Sequence, residues 1–206
     1  MPIMKDRQYR SLEFSTPPPA EKKNKFDSKC YVEGYATTYE PYLLFNDGTN
    51  EVYEEFVRGC FDNCDMSDVI FQFDHSGKVY ARITNNTLTV EPDQIGLFVC
   101  ADLSKTSSSR SMYEDIDSKL VTKMSWGFLP DLETLEVIEQ GNRITVRHHK
   151  IKKMYDVSAV SIPANNNTDI QARNFANGAI GEIMKEFQKR KNHIRKIKLL
   201  LEVSKS

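Results

Sequence analysis

Residues 68–103, DVIFQFDHSGKVYARITNNTLTVEPDQIGLFVCADL, decide the fold class. Four runs rich in aromatic and β-branched residues follow one another: DVIFQF (68–73), KVYARI (78–83), TLTVE (87–91) and GLFVCADL (96–103). Each has the length of a strand, and turn formers separate them: Ser76-Gly77, Asn85-Asn86 and Pro92-Asp93. Such spacing predicts a small antiparallel sheet or barrel.

A second group of strands lies downstream: TKMSWGFLP (122–130), LEVIE (135–139), NRITVRHHKI (142–151) and MYDVSAVSI (154–162), stopped by Pro163. Upstream, CYVEGYATTYE (30–40) alternates as a strand does. Residues 41–50, with Pro41, Asn46, Asp47 and Gly48, read as a loop. VYEEFVRGCF (52–61) reads as a short helix ending near Gly59. SSSRSMYEDIDSKLV (107–121) reads as a helix with Met112, Ile116 and Leu120 on one face and serines to cap its start.

Three regions follow from this reading. Residues 1–27 are polar, carry Pro17-Pro18-Pro19 and read as a flexible arm. Residues 28–173 form the body. Residues 174–206 form a basic tail with eight Lys/Arg against three Glu. Within it, 180–203 has the apolar period of an amphipathic helix.

Composition narrows the function. The chain has 206 residues, 39% hydrophobic and 28% charged, with a formal net charge of -1. A balanced charge offers no broad basic field for nucleic acid. Apolar runs fall short of the roughly 18 residues a membrane helix needs, and the first residues lack a signal-peptide core. The expectation is a protein that stays in the compartment where it is made, without nucleic acid or membrane as partner. Cys30, Cys60, Cys64 and Cys100 lack the usual zinc-ligand spacing; they read as small buried hydrophobes rather than as a metal site with His75.

The chemistry centres on KMSWGF (123–128). In a strand, Met124, Trp126 and Phe128 share one face, and Ser125 and Gly127 share the other. A small hydroxyl beside a glycine leaves room for a substrate. The plain alternative is a serine on the solvent side of an edge strand. A nucleophilic serine needs a base, and the chain has four histidines, His75, His148, His149 and His193. His193 lies in the tail. His75 sits at a strand end, where a side chain reaches across a sheet. His148 and His149 are adjacent and point to opposite faces. The third member, which orients the imidazole, is Asp156 or one of His148 and His149. These patterns support a β-rich domain with a serine and histidine site, and they name no reaction.

Six segments in order resemble the caudovirus prohead proteases. GYATTYE (34–40) resembles the family's opening strand, and EEFVRGCF (54–61) its Glu-x-hydrophobic-x-x-Gly-Ala-Phe segment. FQFDHSGKVYARI (71–83) resembles the strand and turn that present the catalytic histidine, with a following arginine. GLFVCADL (96–103) resembles the Gly-Leu strand, and KMSWGF (123–128) the Met-Ser-Phe-Gly-Phe nucleophile strand. DVSAVSIPANNNTDIQAR (156–173) resembles the Glu-Val-Ser-Leu-Val-x-x-Pro-Ala-Asn segment. The sequence departs from the family pattern at Ser76, at Ala81-Arg82 and at Gly59-Cys60-Phe61.

The resemblance implies an α+β fold like the herpesvirus assembly proteases, a small, mostly antiparallel β-barrel surrounded by a few helices. It implies a serine endopeptidase with Ser125 as nucleophile, His75 as base and Asp156 as third member, needing no cofactor and no metal. Its substrates would be the scaffold, the major capsid protein and the protease itself. It would act in the host cytoplasm, inside the prohead during assembly, with a homo-oligomer as an open alternative. The competing function is a non-enzymatic capsid assembly protein on the same fold.

Overall fold

Alternation of buried and exposed side chains organises most of the chain, and the computed structural model describes residues 8–15, 25–46 and 48–160. Twelve strands and one α-helix lie within them. The strands are β1 (Gln8–Ser15), β2 (Tyr31–Thr38), β3 (Tyr42–Asn46), β4 (Glu51–Phe56), β5 (Ile70–Phe73), β6 (Ser76–Arg82), β7 (Leu88–Pro92), β8 (Gly96–Asp102), β9 (Lys123–Pro130), β10 (Glu136–Gln140), β11 (Arg143–His148) and β12 (Ile151–Val160). The helix α1 (Ser107–Asp117) lies between β8 and β9.

Eight strands form one sheet in the order β6-β5-β12-β9-β1-β2-β8-β7, and four form another in the order β10-β11-β4-β3. Pairing is antiparallel except for β5 with β12 and β4 with β11. Neither sheet closes among the described residues, so the expected barrel is corrected to two open sheets: β6 and β7 are free edges of the larger one. The fold is mostly β, with a single α-helix among the described residues in place of several surrounding ones.

Apolar faces of the two sheets meet around aromatic rings. Trp126 and Phe128, two apart on β9, stack at 4.1 Å. Phe56 of β4 reaches them from the smaller sheet, its ring centroid 5.4 Å from Trp126 and 5.6 Å from Phe128. All three side chains are fully buried. Burial of each contributes roughly 2–3 kcal/mol, the main term holding the sheets together.

Three local readings are corrected. Residues 52–56 are a strand, because Val52, Glu54 and Phe56 are buried in a period of two while their neighbours are half-exposed. The loop at 41–50 contains β3, which pairs with β4 through Tyr42, Leu43, Phe45 and Asn46. The helix ends at Asp117: Lys119 takes a left-handed φ of 64°, which stops it, and Leu120 is exposed. Met112 and Ile116 are buried as expected, and Thr106 caps the start by accepting from the Ser109 N–H.

Residues 8–15, read from sequence as part of the arm, form β1 between β9 and β2. Six residues pair with β9, from Gln8 opposite Phe128 to Glu13 opposite Lys123. Only Phe14 and Ser15 pair with β2. Arg10 stands opposite Trp126 and is 3% exposed. A buried arginine breaks the apolar pattern that marks a core strand, so sequence alone hides this one. It is stabilised by Glu54, which receives the guanidinium in a paired contact and is itself fully buried. The amphipathic helix expected at 180–203 lies outside the described residues.

Candidate active site

The Ser125 side of β9 is the side away from Trp126 and Phe128. On β12, Ser158 stands opposite Ser125 and Asp156 opposite Gly127. The two neighbours therefore project from the same face as Ser125, while Val157 and Ala159 face the core with Trp126 and Met124. On β1, Ser11 is the residue opposite Ser125.

His75 comes to this face through a tight turn. Phe73 pairs with Ser76, so Asp74 and His75 alone connect β5 to β6. Both have positive φ, 47° and 54°, as a type I′ turn requires. Ser76 and Gly77, read from sequence as the turn, belong to β6, so the turn falls two residues earlier. The left-handed backbone costs on the order of 1 kcal/mol or more per non-glycine residue, and Asp and His tolerate it better than most. Two bonds to β12 hold it. The Asp74 N–H donates to the Ala159 carbonyl at 2.9 Å, and the His75 N–H donates to the Ser158 hydroxyl at 3.1 Å.

The imidazole joins the other two groups. Its Nδ1 is hydrogen-bonded to Oδ2 of Asp156, and its Nε2 lies 2.6 Å from Oγ of Ser125. An ionised carboxylate only accepts, so the Nδ1 carries the proton. Neutral imidazole then has its lone pair on Nε2, and the Ser125 hydroxyl donates to it. The Ser158 hydroxyl donates to the same Asp156 oxygen at 3.0 Å. Ser125 is 2% exposed and Ser158 and Asp156 are fully buried, which strengthens these bonds by excluding water.

The structure thus brings Ser125, His75 and Asp156 together and places the other two histidines elsewhere. His148 is buried in the smaller sheet, where its Nε2 lies 2.8 Å from Glu54 and its ring stacks on Phe56 at 4.8 Å. Tyr42 donates to the other oxygen of Glu54. Burial alone would raise the Glu54 carboxyl, but Arg10 and His148 outweigh it and hold the group down at about 2. His149 is half-exposed and bonded to Glu136. Arg82 pairs with Asp68 at the surface.

The thiols play a different part. Burial pushes Cys60 and Cys64 up to about 12 and Cys100 up to about 11, so none is a thiolate near neutral pH. Among the described residues no three His, Cys, Asp or Glu side chains gather as a metal site. No helix among them is long and apolar enough to cross a membrane.

A hydroxyl, an imidazole and a carboxylate in hydrogen-bonded sequence can transfer an acyl group. Comparison with known families adds the decisive observation: the model of the caudovirus prohead serine proteases matches residues 19–181. The chain belongs to that family. The matched span contains all three groups of the site. No curated protein and no solved structure matches the chain. Membership of the prohead serine proteases carries the reading of a serine peptidase of capsid maturation.

The sequence reading missed the hydroxyl of Ser158 as a member of the site. Its signal is the spacing: two residues after Asp156 in a strand, it faces the same way.

Proposed function

We propose that this prohead protease family member is an endopeptidase in which Ser125 is the nucleophile, His75 the general base and acid, and Asp156 the group that holds the imidazole. The observation that carries the proposal is the unbroken chain of hydrogen bonds from Asp156 through both ring nitrogens of His75 to the Ser125 oxygen.

The Ser125 oxygen attacks a peptide carbonyl carbon as its proton passes to Nε2 of His75. The resulting imidazolium is stabilised by the Asp156 carboxylate on Nδ1. When the tetrahedral intermediate collapses, the C–N bond breaks and the Nε2 proton leaves with the amine. Water then enters, gives its proton to Nε2 and attacks the acyl ester. The bond between the acyl carbon and the Ser125 oxygen then breaks, the acyl group leaves as a carboxylic acid, and the Nε2 proton returns to the Ser125 oxygen.

The proposed substrates are the major capsid protein and scaffold of a bacteriophage prohead, and the protease itself. Their processing would take place inside the prohead in the host cell. Family membership supports capsid proteins as the substrate class.

Expression of the chain with its capsid and scaffold proteins tests the proposal. Mass spectrometry is expected to find shortened products with the wild type and only full-length proteins with Ser125→Ala. Processing that persists in Ser125→Ala would overturn the assignment.

A further inference from the structure

The hydroxyl of Ser158 makes two bonds that the three-residue mechanism does not use. It accepts from the backbone N–H of His75 at 3.1 Å and donates to Oδ2 of Asp156 at 3.0 Å. A serine hydroxyl has one proton to give and lone pairs to receive, so both bonds form together. The side chain is fully buried, and no water competes for it.

Both partners need such a bond. His75 has a φ of 54°, a conformation that a non-glycine residue keeps only when its surroundings enforce it. The His75 N–H sits in a two-residue loop and is met by a side chain of the neighbouring strand rather than by the hairpin ladder. Asp156 offers the same oxygen to the imidazole and to Ser158. One hydroxyl therefore ties the backbone that carries the base to the carboxylate that aims it. Ser158 also stands in register with Ser125 across the β9–β12 ladder, so the tie is fixed to the strand that carries the acceptor's target.

We infer that Ser158 is a positioning residue of the active site, acting on the base through His75's backbone and Asp156's carboxylate. This inference rests on the proposed peptidase chemistry at Ser125. Its effect falls on formation of the acyl bond rather than on substrate binding, because Ser158 is fully buried and its hydroxyl is engaged by His75 and Asp156. Misplacement of a catalytic group by a fraction of an ångström to 1 Å costs about 10- to 100-fold in rate.

Two readouts test it. The first is the rate at which a fluorophosphonate labels Ser125, and the second is the NMR resonance of the His75 Nδ1 proton. Ser158→Ala is expected to slow labelling about 30-fold and to shift or broaden the resonance. Ser158→Thr and Ser158→Val form the decisive pair, equal in shape and different only in the hydroxyl. Thr is expected to label within about threefold of wild type and Val to be slowed as Ala is. Equal labelling rates in folded Thr and Val variants, or an unmoved His75 resonance in Val, would overturn the inference. The outcome is separable from the parent reading. Failure of wild type to label at Ser125 overturns the nucleophile assignment, and the His75 resonance, which needs no turnover, still decides the role of Ser158.

Discussion

Asp156 meets His75, 81 residues earlier in the chain, because β5 and β12 run parallel. Asp156 is opposite Ile70 at the start of the shared ladder, and Ala159 is opposite Phe73 at its end. The two-residue turn after Phe73 then folds the imidazole back over β12. A parallel pair with a reversing turn brings together a carboxylate and an imidazole that sit at opposite ends of their ladder.

Asp156→Asn should keep the fold and lose most of the activity. The amide can donate to Nδ1, which favours the tautomer with its proton on Nε2, where it cannot take the Ser125 proton. Rates on a capsid-derived peptide are expected to fall by roughly 10³–10⁴-fold, with the unfolding midpoint little changed. Activity within tenfold of wild type would remove Asp156 from the proposed role.

The Arg10–Glu54 pair makes a stability prediction in two parts. Glu54→Gln leaves the buried guanidinium without its carboxylate and should cost about 3–5 kcal/mol in urea unfolding, with much of that regained in Arg10→Met/Glu54→Gln. Acid acts on the same pair. The folded carboxyl lies at about 2 against an ordinary 4.5, so its contribution is complete above pH 4.5 and is lost as pH falls toward 2. Roughly 3 kcal/mol should disappear across that window in wild type and not in Glu54→Gln. Parallel stability curves for the two proteins would refute the account.

Gly96→Ala should open the contact between β2 and β8. A Cβ at Gly96 would lie 2.1 Å from the Thr37 carbonyl oxygen and 2.6 Å from the Thr38 Cα. Both are backbone atoms, so relief requires moving a strand, at a cost of about 1–3 kcal/mol or more. A thermal unfolding midpoint equal to that of wild type would show that the strands yield freely.

Thiol reagents should leave catalysis intact while serine reagents abolish it. The three most buried cysteines are held protonated, with Cys100 at about 11. Incubation of the native protein with iodoacetamide, followed by a peptide assay, is expected to show full activity. Rapid inactivation by iodoacetamide would point to a cysteine in the chemistry.

Strands with clean alternation were legible in the sequence. KMSWGF declared its two faces, and MYDVSAV was read as a strand, though its place beside KMSWGF was not. Two features were hidden by polar residues in buried places. Glu54 made VYEEF look helical, since a carboxylate at a core position breaks period two, and Arg10 made Gln8–Ser15 look like solvent-facing chain. Each polar residue conceals its own strand, because the partner that makes its burial tolerable lies 44 residues away. His75 was legible as a residue at a strand end. Its turn was read two residues too late, because Gly77 drew the reading past Asp74 and His75, which adopt positive φ without being glycine. The sequence reading preferred Asp156 to the His148-His149 pair as third member; what it could not display is the pairing of β12 with β5 that brings Asp156 to His75.

β1 is the first of the described strands, yet its main neighbour is β9. Residues 8–13 have nothing to zip against until Lys123–Phe128 have been synthesised. Likewise the groups at 75, 125 and 156 are strung along separate stretches of the emerging polypeptide. A ribosome must deliver the chain through β12 before the larger sheet can be completed, so no shorter nascent chain holds all the groups of the proposed site. Synthesis order thus acts as a timer: the proposed chemistry at Ser125 cannot begin until the chain has been translated through Asp156.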